Sequence, residues 1–78
     1  MSKYEKALER IRKLDKGLTF EELAHVLKKN GYTIRNNGSS HYFFSKPNVY
    51  GFTLPRHKPM NLTYIRLVKE TLEREGIL

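Results

Sequence analysis

His41 is the side chain in this sequence best suited to chemistry. It stands behind a glycine-serine turn, Gly38-Ser39-Ser40, and ahead of the apolar run Tyr42-Phe43-Phe44. No carboxylate occurs between Glu22 and Glu70, whereas Lys28, Lys29, Arg35, Lys46, Arg56, Lys58, Arg66 and Lys69 all fall in that window. An imidazole among cations suits a phosphodiester. A neutral ring can take the proton of a hydroxyl that attacks phosphorus, and lysine or arginine can stabilise the charge gathering on the phosphoryl oxygens. Arg35 and Lys46 are the nearest candidates for that second task. Ser39 and Ser40 offer hydroxyls and backbone N–H groups to a phosphate oxygen. Downstream, Pro55-Arg56-His57-Lys58 adds two cations and a second imidazole. His57 is a candidate general acid for the leaving 5′-oxygen, or else a phosphate or loop-capping residue.

Size and charge narrow the classes. Seventy-eight residues make one small domain. The absence of cysteine excludes disulfides and thiolate metal sites and suits a reducing compartment. Three histidines at no ligand spacing, with no carboxylate near His41, argue against zinc, so no metal and no cofactor is expected. No apolar run is long enough to cross a membrane, and the charged amino terminus does not resemble a signal peptide. A cytoplasmic protein is expected. A formal charge of +7 points to a polyanionic or acidic partner. Residues 31–60 carry four basic and no acidic side chains, while both ends are mixed in sign.

The elements that must position His41 follow from periodicity. Residues 3–14 form an amphipathic helix with Tyr4, Ala7, Leu8, Ile11 and Leu14 on one stripe. Gly17 suits a left-handed cap at its end. Thr19-x-x-Glu22 is a capping box opening a second helix, with Phe20, Leu23, Ala24 and Leu27 buried and Asn30-Gly31 as the stop. His25 lies off the centre of that stripe and is assigned no chemistry. Lys28-Lys29 is a favourable helix C-terminus before it is anything else.

Three strands follow: Tyr32–Arg35, His41–Phe44 and Val49–Leu54, the last ended by Pro55. Turn residues 36–39 and 45–48 separate them, which favours an antiparallel meander. The period of two assigns Tyr32, Ile34, Tyr42, Phe44, Phe52 and Leu54 to the covered side. Thr33, Arg35, His41, Phe43 and Thr53 take the open side. Phe43, facing outward, is the candidate for stacking on a base. Asn61 or Thr63 caps a last helix reaching about Glu75, with Leu62, Ile65, Val68 and Leu72 buried and Gly76 beyond. The fold class is α+β, order α-α-β-β-β-α, with helices on one face of a three-stranded antiparallel sheet.

Ordered motifs from Thr19 to Leu78 carry a family resemblance. They are Leu27-Lys28-Lys29-Asn30-Gly31-Tyr32, then Gly38-Ser39-Ser40-His41-Tyr42-Phe43-Phe44, then Pro47, then Thr53-Leu54-Pro55-Arg56-His57 and the closing helix. This pattern resembles the HicA family of type II toxin–antitoxin systems, small messenger-RNA interferases of double-stranded-RNA-binding-domain-like fold. Ser39-Ser40 stands where the family commonly has one serine. Pairing the family histidine with Ser40 instead would displace both the aromatic and the proline, so His41 takes the histidine position. Residues 1–17 read as a helical extension to a family-like core at 18–78. The resemblance implies a toxin that cleaves messenger RNA without metal, with His41 as its catalytic residue. It also implies a HicB-like antitoxin protein that covers the site. Arg35, Ser39, Ser40, Phe43, Lys46, Arg56, His57 and Lys58 would bind the RNA.

Two other classes fit the same residues. One is an RNA-binding module of this fold without catalysis. The other is a basic protein whose main partner is an acidic protein.

Overall fold

The computed structural model describes residues 2–36 and 38–78. Met1 and Asn37, the latter within the expected turn at 36–39, lie outside the described residues. The elements are α1 (Lys3–Arg12), α2 (Phe20–Lys29), β1 (Thr33–Asn36), β2 (His41–Ser45), β3 (Phe52–Pro55) and α3 (Leu62–Arg74). The strands form an antiparallel sheet in the order β1-β2-β3. The succession is the α+β order expected from periodicity.

Local chemistry accounts for the helix boundaries. Ser2 and Glu5 close a capping box at α1, and Thr19 and Glu22 close the one expected at α2. At α3 the choice falls on Asn61, whose Oδ1 accepts the Thr63 N–H at 2.8 Å. All three helices end in the same way, with paired 6→1 and 5→2 backbone bonds around a left-handed residue. At α2, Tyr32 N–H donates to the Leu27 carbonyl and Gly31 N–H to that of Lys28, each at 3.1 Å, with Gly31 at φ 93°. Gly76 does the same for α3 at φ 76°. At α1 the expectation of Gly17 is corrected. Leu14 takes the left-handed position at φ 55°, and Asp15 N–H reaches back to the Arg10 carbonyl at 3.0 Å. Leu14 also packs on the core, and that packing offsets the roughly 1–2 kcal/mol that a side chain costs there.

The core lies between the helices and one sheet face. Phe44 and Leu54 are fully buried with Leu23, Leu27, Ile65, Val68 and Leu72. Val26 is buried as well, although a single-stripe reading of α2 leaves it outside. Helix α1 explains this, because it packs against both α2 and α3 and contributes Ala7 and Ile11 to the same core. Residues 3–12, expected as part of an extension, are thus continuous with the domain's interior. Arg10 locks them there. Its Nε donates to Asp15 Oδ2 at 2.8 Å, and its Nη1 pairs with the capping-box carboxylate of Glu22. Asn30, the C-cap of α2, donates to the Tyr4 hydroxyl at 2.9 Å.

Strand β3 begins at Phe52, not Val49, because Asn48 turns left-handed at φ 67° and carries residues 49–51 into the connection. It also includes Pro55, contrary to expectation. The Arg56 N–H donates to the Ser40 carbonyl at 2.8 Å. That bond flanks His41↔Pro55 as a non-hydrogen-bonded pair. The position at which proline lacks a donor therefore faces away from β2, on the outer side of an edge strand.

A largely buried polar knot joins the sheet to the ends of α2 and α3. Lys46 Nζ donates to Glu75 Oε1 at 2.7 Å and to the Asn30 carbonyl at 3.0 Å, over the Tyr32 ring. The Tyr32 hydroxyl donates to the other oxygen of Glu75. Burial, and then the Glu75 carboxylate, push the Tyr32 phenol well above its ordinary value. Burial alone would raise Glu75, but the hydrogen bonds from Lys46 and Tyr32 together outweigh it and hold the carboxyl below its ordinary value.

Two outcomes follow. A Cβ on Gly31 would meet nothing closer than Lys46 Cδ at 3.8 Å, so Gly31→Ala should lose about 1 kcal/mol from backbone strain alone. Urea unfolding measures that directly. A depressed folded value means that Glu75 stabilises the fold above the ordinary carboxyl pKa, and that this is lost as pH falls through the folded value. Glu75→Gln should remove about 2 kcal/mol at pH 7 and flatten the acid limb of stability. An unchanged acid limb in thermal melts from pH 7 to 3 would contradict the assignment.

Candidate active site

Strand β2 fixes the direction of His41. Phe44 and Tyr42 turn inward against Phe20 of α2, with ring centroids at 5.9 and 4.9 Å. The alternation of the strand then sends His41 and Phe43 to the opposite, exposed side. Cross-strand partners complete that side: Thr33 and Arg35 from β1 and Thr53 from β3, all exposed, with Pro55 opposite His41 but itself buried. Thr33, Arg35, His41, Phe43 and Thr53 therefore share the open face, as alternation requires.

The turn before His41 is held by Asn36. Its Oδ1 accepts the Gly38 N–H at 2.9 Å, and its Nδ2 donates to the carbonyls of Ser39 and His41 at 2.6 and 3.1 Å. The Ser39 hydroxyl accepts the His41 N–H at 3.1 Å. Ser39 Oγ, expected as a phosphate donor, is thus engaged within the turn, as is the Gly38 N–H. Ser40 is exposed, and its side chain forms no hydrogen bond among the described residues. The Asn36-x-Gly38 spacing was the legible signal for this Asx turn.

The Arg56–Ser40 backbone bond also decides where His57 lies. It sets residue 56 against the turn, and the next side chain falls beside His41. The two imidazole centroids are 6.4 Å apart at 68°, and both residues are exposed. Sixteen positions separate them in the chain, and no local pattern predicts their approach.

The cations divide into two groups. Arg35 and Lys58 are exposed and form no ion pair among the described residues. Arg56 and Lys46 are committed elsewhere. Arg56 Nη2 pairs with Glu21 Oε2 at 2.7 Å, and its guanidinium lies over the Phe20 ring. Lys46 is held by Glu75 and Asn30, with only 19% of its side chain exposed. The reading of a carboxylate-free neighbourhood is thereby qualified, since Glu21 reaches the basic loop from α2. Its own backbone N–H at the helix start, and then Arg56, hold the Glu21 carboxyl below its ordinary value against the opposing effect of burial.

Comparison with protein-family models gives no match, and neither curated proteins nor solved structures provide one.

Proposed function

We propose that this chain is a toxin of the messenger-RNA interferase type. It would be an endoribonuclease working without metal in the cytoplasm and held inactive by a HicB-like antitoxin. The observation that carries this reading is the pair of exposed imidazoles, His41 and His57, 6.4 Å apart at the open end of the sheet. The rings meet edge to face at that spacing, and with both exposed one phosphodiester can reach a nitrogen of each.

The chemistry then runs in line. Neutral His41 accepts the 2′-hydroxyl proton while the 2′-oxygen attacks the adjacent phosphorus. Protonated His57 gives its proton to the departing 5′-oxygen. The products are a 2′,3′-cyclic phosphate and a free 5′-hydroxyl. Lys58 and Arg35 supply the unpaired positive charge for the phosphate groups, and the Ser40 hydroxyl adds a donor. Arg56 contributes through its backbone bond to Ser40 and through whatever charge Glu21 leaves uncompensated. Lys46 is withdrawn from this role, because displacing it would open the knot with Glu75.

A non-catalytic RNA-binding module draws support from the open face itself, where Arg35 and Phe43 are exposed. Incubating wild type, His41→Ala and His57→Ala with RNA in EDTA separates the two. Cleavage by wild type should leave cyclic phosphate ends. His41→Ala should lose about 10² to 10⁴ in rate and cease to arrest growth, while still binding the antitoxin. His57→Ala should be slowed by on the order of 10². Intact RNA with wild type would sink the proposal. A fully active His57→Ala would remove His57 from the mechanism.

A further inference from the structure

Phe43 is the large apolar residue of the open sheet face, and 43% of it is exposed. Its ring does not project freely. The far end lies over β3's approach, where a Cβ on Gly51 would stand 2.2 Å from Phe43 Cζ and 2.8 and 2.9 Å from the two Cε atoms. Gly51 has no need of a left-handed conformation, since its φ lies outside that region. The ring's position thus depends on the missing side chain at residue 51.

Around this ring the face is polar and cationic. Arg35 is its partner across β1, Thr53 its partner across β3, and His41 its neighbour two residues back on the same side. None of these residues is a carboxylate. Successive same-side positions on a strand stand about 6.6 Å apart, comparable with one nucleotide step of an extended single strand. An aromatic ring beside a cation and one step from a proton-transfer group suits a stacked base next to the reacting phosphate. It does not suit a paired base, whose faces are occupied within a duplex.

Resting on the cleavage reading above, we infer that Phe43 is the seat for one unpaired base. We further infer that Gly51, by letting the ring lie down, sets the distance from that base to the bond presented to His41. Phe43 and Gly51 are positioning residues in this account. They define the substrate as single-stranded RNA cut at a fixed step from a stacked base.

The test uses the whole chain with a single-stranded RNA oligonucleotide carrying 2-aminopurine at one position at a time, and the same strand annealed to its complement. Wild type should quench the fluorophore at a position next to the cut and should leave the duplex intact. Phe43→Leu should lose the quench and raise KM by about five- to a hundredfold, with kcat and product ends little changed. Phe43→Tyr should restore both. Gly51→Ala, in which only the end of a ring must move, should fold normally by circular dichroism yet shift or blur the cut position. His41→Ala should keep the quench and lose the cut.

Quenching by wild type without cleavage would end the nuclease reading and leave the seat standing. Cleavage with the quench and KM unaltered in Phe43→Leu would end the seat alone, as would duplex cleavage at the single-strand rate. If Phe43→Leu loses only antitoxin capture, the face is a protein contact and the inference is overturned.

Discussion

Everything at the candidate site depends on Phe44 staying inside. Its ring is fully buried, stacked at 12° on Phe52 with centroids 5.7 Å apart and tilted against Phe20. Because side chains alternate along a strand, that single placement determines the direction of every other residue of β2. A slip of one residue would put His41 and Phe43 into the core and Tyr42 and Phe44 into water. Burying the two rings is worth several kcal/mol by area alone, far more than any interaction His41 makes. The exposure of the imidazole is therefore a consequence of hydrophobic register and requires no interaction of its own.

The helices serve that register from two sides. Helix α2 supplies Phe20 to the sheet, and its C-cap Asn30 reaches the Tyr4 hydroxyl of α1. Helix α1 anchors to α2 through Arg10 and Glu22, so the carboxylate that caps α2 by accepting the Thr19 N–H also seats α1. In so small a chain a third helix adds needed apolar burial. This gives residues 3–12 a structural role that does not depend on any partner.

Charge is redistributed by folding. Along the chain the centre is basic and the carboxylates lie toward the ends. In three dimensions Glu21 returns to Arg56 and Glu75 returns to Lys46, one at the surface and one largely buried. The exposed pair is worth little and weakens with salt, whereas the buried one must remain intact because a lone charge there is costly. What remains without an ion pair among the described residues near the two imidazoles is a smaller set of cations, Arg35 on the open face and Lys58 in the loop after β3, the latter also felt by Glu21.

The capping box of α2, the main inward stripes, the meander and the outward direction of His41 and Phe43 were legible in the amino-acid order. Each is governed by neighbours within four residues or by an alternation that needs no knowledge of distant partners. The left-handed closure of α1 shows where that reading fails: glycine was the local favourite, but Leu14 gains core contact that only the assembled helices offer. The same holds for the burial of Val26, the withdrawal of Lys46 into a polar knot, the pairing of Arg56 and the approach of His57 to His41. Such partners stand far apart along the chain, and their meeting depends on sheet register and helix docking. No spacing rule encodes it, so the candidate residue His41 could be named from its surroundings in sequence, while its companions were chosen by tertiary packing.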